Sequence, residues 1–362
     1  MNAGSVVVVP QTAPDYRQEF YDELRQRLDG RLRVVTARQS VHGQGTVADG
    51  LEGLVEVRPS ALLFGRRLLY QHLPRNELAR ADVVIAELNP RVLSTWALLA
   101  ERRRRGGPTI LWGHAWPVRG RGARTEALRH RLRTRADALI AYTDTQAEGL
   151  RERHPALPVF VAPNAVHRRE TVPLPQSGGP GCSFTFLGRL IPAKKPDLAL
   201  RAFALARGAL GDEARLLVVG DGPLRAGLEA LARDLGVAER VGFRGHVTDA
   251  RALAAIFDDS VATLSPGYAG LALTQSLSCG VPVVVARDEP HSPEIEVLVE
   301  GTTGSFFASD DAGQLARALA RFWRERAAWG GRRRELAAST RARYSVEAMT
   351  DGFVRAIEHV AP

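Results

Sequence analysis

The side chains best suited to chemistry in this sequence are two cations on one short loop near the middle of the chain. The apolar stretch 182–187 predicts a buried strand, and Gly188 allows the backbone to turn sharply where that strand ends. Arg189 and Lys194 follow on the same loop and can converge on a single anion. A guanidinium binds two phosphate oxygens at once, and an ammonium adds a compact charge. The loop therefore predicts an anion site, with a solvated basic turn as the alternative.

A second candidate anion site lies where a glycine-bearing loop leads into a helix. The predicted strand 260–264 ends in a loop that contains Gly267 and Gly270, and a helix is predicted over 271–279. Glycines let the backbone approach a ligand closely, and the unpaired N–H groups at a helix start attract negative charge. Together with the two cations, this helix start favours a diphosphate site that works without a metal ion.

Two more loops follow predicted strands, at the edge where open α/β sheets bind ligands. Gly222 lies in the loop after strand 214–219. The loop after strand 240–243 contains Arg244, His246 and Val247, and its backbone could face a nucleobase. An ordinary turn between strand and helix is the alternative for each loop.

In the first half of the chain, His114 follows the predicted strand 109–112 and lies between Trp112 and Trp116. The two indole rings could flank a sugar, which gives His114 a functional interpretation beside the structural one. Asn164 follows the predicted strand 159–162 and is equally consistent with a turn residue.

Other kinds of site are not supported by the sequence. Cys182 and Cys279 lack the histidine spacing of a structural zinc site, and Asp258 and Asp259 lie where a predicted helix ends. The chain contains neither a P-loop motif nor a Gly-x-Ser-x-Gly motif. No metal site is predicted.

The elements that must position these loops alternate between short apolar strands and helices. Strands in the first half are predicted over 5–9, 32–36, 82–86, 109–112, 138–141 and 159–162, and helices over 16–28, 91–104, 123–135 and 145–153. Segment 171–181 is rich in proline and glycine and predicts a linker. The alternation then restarts, with strands over 182–187, 214–219, 240–243, 260–264 and 281–285, and helices over 197–208, 223–235, 249–257, 271–279, 310–328 and 346–360. This pattern predicts an α/β fold with parallel sheets covered on both faces.

Length and composition agree with two globular domains. The chain has 362 residues, of which 45% are hydrophobic and 25% charged, and single cores rarely exceed about 300 residues. No window holds the ~20 apolar residues of a membrane-spanning helix, and the first residues resemble a strand rather than a signal peptide. Two cysteines provide no disulfide framework. Disordered, collagen-like, disulfide-rich and transmembrane classes are therefore excluded.

The net charge of +9 is concentrated in the first half. Residues 1–170 hold 27 arginines and 18 acidic residues, whereas residues 171–362 hold 22 of each sign. Segment 101–135 alone has 11 arginines and 2 glutamates. It predicts a basic surface for an anionic acceptor or an anionic membrane, with a solvated helix face as the alternative. It contains no recognised nucleic-acid-binding module, so no nucleic acid is expected as a partner.

Segments 186–194, 219–223 and 265–285, in this order and spacing, resemble the retaining glycosyltransferases of family four, also called glycosyl transferases group 1. The segments 89–91 and 112–114, and the Tyr16-Arg17 start of the first helix, resemble a bacterial branch of that family. The resemblance implies the GT-B architecture, in which two Rossmann-like domains with parallel sheets face each other across a cleft. It assigns acceptor binding to residues 1–170, with helix 346–362 packing back on them. It places a linker at 171–181 and assigns nucleotide-sugar donor binding to residues 182–345.

The resemblance also implies roles for individual residues. Arg189 and Lys194 would hold the donor diphosphate, and His114 completes the expected catalytic set. The residues expected to contact the donor are Gly188, Gly222, Arg244, His246, Val247, Gly267, Tyr268, Ala269, Gly270, Leu271, Gln275 and Glu294. Those expected on the acceptor side are Tyr16, Arg17, Trp112, Trp116 and Asn164.

The sequence departs from the family at its pair of glutamates, which fall on Gly267 and Gln275. Gln275 can still hydrogen-bond a ribose hydroxyl through its amide, but Gly267 cannot supply a carboxylate to the donor sugar. Glu294 fits the acidic residue that the family carries after the next strand, and it could partly substitute.

The expected function is transfer of a hexosyl group from a nucleoside-diphosphate sugar, with a UDP-sugar favoured over a GDP-sugar, to a glycan, lipid-linked or natural-product acceptor. No cofactor and no metal are expected. A non-catalytic nucleotide-sugar-binding protein on the same fold is the alternative. The expected location is the cytoplasm, with peripheral attachment to the inner face of the membrane through anionic lipid.

Overall fold

The computed structural model describes residues 5–41, 43–44, 51, 53–117, 120, 122–123, 125–175 and 179–361. The chain divides into two compact units. Unit 1 comprises Met1–Val166 together with Val346–Pro362, and unit 2 comprises His167–Ser345. Three residues of the predicted linker (176–178) and three arginines of the basic segment (Arg119, Arg121 and Arg124) lie outside the described residues.

Unit 1 is built on a seven-stranded parallel sheet in the order β11-β10-β9-β8-β1-β2-β5. Its strands are β1 (Val6–Val9), β2 (Leu32–Ala37), β5 (Val55–Arg58), β8 (Val83–Glu87), β9 (Thr109–Trp112), β10 (Ala138–Ala141) and β11 (Val159–Val161). Two antiparallel pairs accompany it, β3 (Gln39–Ser40) with β4 (Gly43–Gln44), and β6 (Ser60–Leu63) with β7 (Leu68–Gln71). Strands β1, β9 and β10 are buried along their whole length, which agrees with helices covering both faces.

The helices of unit 1 are α1 (Gln18–Arg27), α2 (Arg75–Leu78), α3 (Leu93–Arg105), α4 (Glu126–Arg133), α5 (Asp144–Arg153) and the last helix, α12 (Val346–Val360). Phe20 and Leu24 of α1 are fully buried in the same core as Phe353 of α12. Gly352 permits the close packing of α12, because a Cβ there would lie 2.8 Å from the Ala162 Cα just beyond β11. The core of unit 1 therefore depends on residues from both ends of the chain.

Two arginines of the basic segment 101–135 are fully buried in unit 1. The Arg102 guanidinium donates to the carbonyls of Leu78 (2.6 Å), Ala81 (2.8 Å) and Pro108 (2.7 Å). Arg133 donates to the carboxylate of Glu126 at 2.9 Å. Both side chains satisfy buried oxygens, so they do not belong to a basic surface.

Unit 2 is built on a six-stranded parallel sheet in the order β14-β13-β12-β15-β16-β17. Its strands are β12 (Ser183–Leu187), β13 (Arg215–Val219), β14 (Val241–Gly245), β15 (Ser260–Ser265), β16 (Val283–Ala286) and β17 (Gly304–Phe307). Its helices are α6 (Pro196–Ala206), α7 (Arg225–Asp234), α8 (Ala250–Asp258), α9 (Leu271–Ser278), α10 (Ala312–Arg324) and α11 (Arg326–Arg343). The largest core joins β12, β13 and β15 to α6 and α10. Among the described helices of the chain, none combines the length and the hydropathy needed to cross a membrane.

The structure corrects three predictions about elements. The helix predicted over 123–135 begins only at Glu126. The single helix predicted over 310–328 is two helices, because α10 ends at Arg324 and α11 continues to Arg343. Strands β3 to β7 in the first half and β17 near the end were not predicted.

Candidate functional site

Three neighbouring strands of unit 2 bring the predicted donor residues to one edge of the sheet. Strands β12, β15 and β16 lie side by side and are parallel, so the loops that follow them start at the same edge. These loops carry Arg189 and Lys194, the 267–270 segment, and residues 287–294 respectively. The structure thus places the predicted cations, the glycine loop and Glu294 in adjoining loops.

Lys194 is held against the second of these loops. Its Nζ donates to the carbonyl oxygen of Tyr268 at 2.8 Å and lies 4.8 Å from the centre of the Tyr268 ring. Burial and the neighbouring charge of Arg189 lower the pKa of Lys194 to about 8, and Glu294 opposes this shift. Arg189 itself is exposed and makes no ion pair with any residue that the structure describes. A bound anion would relieve the repulsion between these two cations, so their pairing favours anion binding.

Lys195, the only other lysine, is directed elsewhere. Its Nζ forms ion pairs with Glu289 at 2.6 Å and Asp310 at 2.7 Å. Lys195 therefore stabilises the loop, whereas Lys194 and Arg189 are the cations available to a ligand.

The loop before α9 is held on both sides of Ala269. The Ala269 N–H donates to Nδ1 of His291 at 3.0 Å, and Nε2 of His291 lies 2.7 Å from the carbonyl oxygen of Ala286. Because Nδ1 accepts, the ring proton is assigned to Nε2, which donates to Ala286. The Ser292 N–H donates to the Ala269 carbonyl at 3.0 Å, and the Ser292 hydroxyl lies within hydrogen-bond distance of that carbonyl and of Glu294. His291 and Ser292 together fix the backbone that leads into α9.

Burial has two further effects on ionisable groups in these loops. It lowers the pKa of His291, which agrees with a neutral ring that both accepts and donates. It also raises the pKa of Tyr268, and the hydrogen bond with Ser292 opposes that rise. Neither His291 nor Ser292 was predicted as a site residue. Their position just after the carboxyl end of a buried strand was the signal that could have identified them.

Gly267 has no room for a side chain. A Cβ there would lie 2.7 Å from the carbonyl carbon of Lys194 and 2.9 Å from its Cα, and it would also meet the carbonyl oxygen of Ala193. The position that holds a glutamate in the family is therefore closed here by the backbone of the cationic loop. Glu294, whose side chain is almost fully buried, carries the negative charge that raises the pKa of Lys194.

Gly270 and Leu271 mark the start of α9, and Gln275 follows one turn later. A Cβ on Gly270 would lie 3.0 Å from the Ser292 hydroxyl oxygen, so this glycine also accommodates a close approach. The half-buried Gln275 side chain makes no hydrogen bond within the described part of the chain. Its amide is therefore available to a ligand.

The remaining predicted donor residues lie near the carboxyl ends of β12, β13 and β14, and Arg244 belongs to β14 itself rather than to the loop predicted after it. Gly188 and Gly222 adopt φ of +157° and +155°, and a Cβ on Gly222 would lie 2.6 Å from the carbonyl oxygen of Leu190. Arg244 and His246 are exposed, and Val247 is half-buried. Within the described residues, no group of three or more His, Cys, Asp or Glu side chains could hold a metal ion. Asp258 ends α8, and the carboxylate of Asp259 accepts the Cys182 N–H at 3.1 Å.

In unit 1, His114 and Tyr16 are exposed, and Asn164 lies near the first helix. The His114 ring packs edge-to-face on Tyr142, with ring centres 5.0 Å apart. Arg17 is buried, donates to the Asn164 side-chain oxygen and lies 5.2 Å from the Tyr16 ring centre. The structure therefore brings Tyr16, Arg17 and Asn164 together.

The two tryptophans do not form the expected pair of exposed rings. Trp112 is 5% exposed, and its ring packs 5.0 Å from Phe353, centre to centre, with Arg17 over it at 5.1 Å. Trp116 is half-buried, and the guanidinium of Arg133 lies 4.8 Å from its ring centre. The idea that Trp112 flanks a sugar is therefore corrected. Its ring is part of the core, because β9 is buried on both faces.

Parts of this chain resemble known proteins. Residues 182–343 match the family described as "Glycosyl transferases group 1". The chain is 30% identical over 211 residues to the D-inositol 3-phosphate glycosyltransferase of Acidothermus cellulolyticus, a match that covers 51% of this chain and 45% of that protein. It is 40% identical over 103 residues to a GDP-mannose-dependent alpha-(1-6)-phosphatidylinositol dimannoside mannosyltransferase of Mycobacterium tuberculosis, covering 28% of this chain and 26% of that protein. The chain thus spans about half the length, or less, of these curated relatives.

Among solved structures, Anabaena HepE in complex with UDP superposes with a TM-score of 0.75 at 16% identity, covering 98% of this chain and 100% of that one. This likeness shows the shared fold. The expected α/β fold of the GT-B class is thereby confirmed, and residues 182–343 match the glycosyl transferases group 1 family.

Proposed function

We propose that the protein transfers a sugar from a nucleoside-diphosphate sugar to an acceptor, with unit 2 holding the donor. The observation that carries the proposal is the pairing of Lys194 and Arg189 next to the start of α9. Lys194 is anchored on the Tyr268 carbonyl, and Arg189 has no ion-pair partner among the described residues. Two adjacent cations beside free helix N–H groups form a site for a diphosphate.

The proposed reaction replaces one glycosidic bond by another. The bond between the sugar C1 and the diphosphate oxygen breaks, and a bond forms between C1 and the acceptor oxygen. The acceptor proton passes to the departing diphosphate oxygen on the same face, so the configuration at C1 is retained without a protein nucleophile. Arg189 and Lys194 would stabilise the charge that develops on the diphosphate, and each such contact is worth about 10²–10³ in rate. Their two charges are the basis for proposing that no metal ion is needed.

The proposed donor contacts follow the positions of the loops. Arg244, His246 and Val247 would border the nucleobase, and the Gln275 amide would bind a ribose hydroxyl. We propose a UDP-sugar ahead of a GDP-sugar. The similar proteins differ in their nucleotide, because HepE was solved with UDP and the mycobacterial relative is GDP-mannose-dependent. A binding panel with both nucleotides is therefore needed.

Unit 1 would hold the acceptor, with the exposed His114 and Tyr16 at the carboxyl ends of its strands. The proposed acceptor is a glycan, a lipid-linked sugar or a natural product, in a cytoplasmic setting. Attachment to anionic lipid through segment 101–135 remains part of this proposal only for its exposed arginines, since Arg102 and Arg133 are buried.

A second candidate is a nucleotide-sugar-binding protein without transferase activity. The closed position of Gly267 favours it, because no carboxylate can reach the donor sugar from there. Release of sugar from a donor in the absence of acceptor separates the two candidates, since hydrolysis requires catalytic competence.

The test compares Arg189→Ala and Lys194→Ala with Arg201→Ala, an exposed arginine on α6. Nucleoside-diphosphate binding is measured by calorimetry, and donor hydrolysis by release of UDP or GDP. We expect both site variants to lose about 10²–10³ in hydrolysis rate at nearly unchanged melting temperature, with Arg201→Ala unaffected. Normal hydrolysis in both site variants would overturn the proposal. Donor binding by the wild-type protein without hydrolysis would favour the binding protein.

A further inference from the structure

The hairpin of β6 and β7 in unit 1 ends in an exposed apolar tip. Phe64 is 75% exposed, the highest value among the large hydrophobic residues of the described chain, and its neighbour Leu63 is 36% exposed. Exposing a phenylalanine to water is unfavourable, because its apolar ring is stabilised by removal from water. The tip therefore needs an explanation beyond the fold of unit 1.

The tip has a defined shape. Phe64, Gly65 and Arg66 all adopt left-handed backbone conformations, with φ of +52°, +61° and +67°. Such a conformation is rare for phenylalanine and arginine and persists only where the surroundings hold it. The Arg67 N–H donates to the Leu63 carbonyl at 3.1 Å, which closes the turn. Phe64 thus occupies a position where asparagine or glycine would be less strained.

Arg91 braces the tip from the neighbouring loop. Its Nε donates to the carbonyl oxygen of Arg67 at 2.7 Å, and its Nη2 donates to that of Arg66 at 2.9 Å. Asn89 accepts the Arg91 N–H at 3.1 Å, and the Arg91 carbonyl accepts the Leu69 N–H at 2.9 Å. The segment 89–91 therefore fixes the hairpin, which gives this part of the sequence a structural role.

The charges at the tip show what kind of surface it fits. Arg66 and Arg67 are exposed and form no ion pair with any residue that the structure describes. The tip thus combines an aromatic ring, a leucine and two free cations. Aromatic rings favour the level of the lipid headgroups, and arginines near an anionic bilayer each strengthen binding by about fivefold. A protein partner would need about 800 Å² of surface, more than a four-residue tip offers.

We infer that the β6–β7 tip docks into the surface of an anionic lipid bilayer. The Phe64 ring and Leu63 enter the boundary between headgroups and acyl chains, and Arg66 and Arg67 contact lipid phosphates. The inference goes beyond the proposed transfer reaction and does not depend on it. The hairpin tip adds an apolar membrane contact to the exposed arginines of segment 101–135 proposed above.

The test measures co-sedimentation of the full chain with vesicles of phosphatidylcholine, with or without 30% phosphatidylglycerol, at low and at physiological salt. The main variants are Phe64→Asn, which suits the left-handed turn, and the double charge reversal of Arg66 and Arg67 to glutamate. Leu205→Ser is the matched control, because Leu205 is 65% exposed on α6. We expect Phe64→Asn to weaken binding at least tenfold. We expect the charge reversal to remove the preference for phosphatidylglycerol and Leu205→Ser to have no effect.

A second measurement locates the contact directly. Phe64→Trp, read against the five native tryptophans, should give an additional blue-shifted signal that is quenched by brominated lipids. Absence of that signal, or wild-type binding that Phe64→Asn leaves unchanged, would overturn the inference. The inference would also be overturned if the wild-type protein sedimented with neither kind of vesicle at low salt. If the protein hydrolyses donor but does not sediment with vesicles, the lipid contact is refuted and the proposed transfer reaction stands. If it sediments with vesicles but does not hydrolyse donor, the transfer reaction is refuted and the lipid contact stands.

Discussion

Restoring the family glutamate at position 267 should damage this protein rather than improve it. A Cβ at Gly267 would lie 2.7 Å from the Lys194 carbonyl carbon, whereas ordinary contact begins at 3.4 Å. The backbone at Lys194 would have to move by about 0.7 Å, and overpacking of this kind costs about 1–3 kcal/mol. For a unit of this size, that loss lowers the melting temperature by about 2–12 °C. The same shift misplaces the Lys194 amine, so donor hydrolysis should fall by about 10- to 100-fold.

The assay pairs thermal unfolding with donor hydrolysis for Gly267→Glu, Gly267→Ala and Gln275→Glu. Gly267→Ala should already show most of the thermal loss, because the clash begins at Cβ. Gln275→Glu should stay within about 0.5 kcal/mol of the wild type, because its half-buried side chain makes no hydrogen bond that would be lost within the described chain. If Gly267→Glu melted at the wild-type temperature and hydrolysed donor faster, the steric reasoning would be refuted.

Three other expectations concern charge and burial. Because the pKa of Lys194 is lowered to about 8, kcat/KM should fall as the pH rises through about 8, and Lys194→Arg should move that alkaline limb upward in a pH–rate profile. Burial lowers the pKa of His291 in the folded chain. As the pH falls, the unfolded chain therefore binds a proton at His291 before the folded chain does. The free energy of unfolding, measured by urea titration, should therefore decline as the pH falls below about 6.5, and His291→Gln should flatten that decline. Arg102→Met should cost about 3–5 kcal/mol in denaturant unfolding, because it leaves buried carbonyls without a donor, whereas the exposed Arg103→Met should stay within about 0.5 kcal/mol.

The parallel strands and the loops that follow them were predictable because their signal is local. Four consecutive valines over Val6–Val9 can only be stable when covered on both faces, and two phenylalanines and a leucine predict a buried strand at Ser183–Leu187. The carboxyl end of each such strand then identifies a candidate loop. This reasoning led to Arg189, Lys194 and the 267–270 loop.

Features that depend on side-chain direction could not be predicted in this way. The β6–β7 hairpin lacks an Asn-Gly or Asp-Gly turn, and its left-handed tip is held by Arg91 from a distant segment. Helix α11 contains Gly330 and Gly331, which disfavour a helix locally. Tertiary contacts hold the helix in place, among them the burial of Trp329 and Leu336 and the hydrogen bond from Arg333 to the Asp258 carbonyl. Charge counting likewise could not show that Arg102 is turned inward.

The return of the last helix to unit 1 has a consequence for the order in which the protein forms during synthesis. Phe353 and Met349 of α12 complete the core around Phe20, yet they are translated after every residue of unit 2. Unit 2 is contiguous in the chain, so it can fold as soon as Ser345 has left the ribosome. The unit that is synthesised first must therefore wait for the unit that is synthesised second. During that interval the apolar surface that α12 will cover is exposed and prone to aggregation.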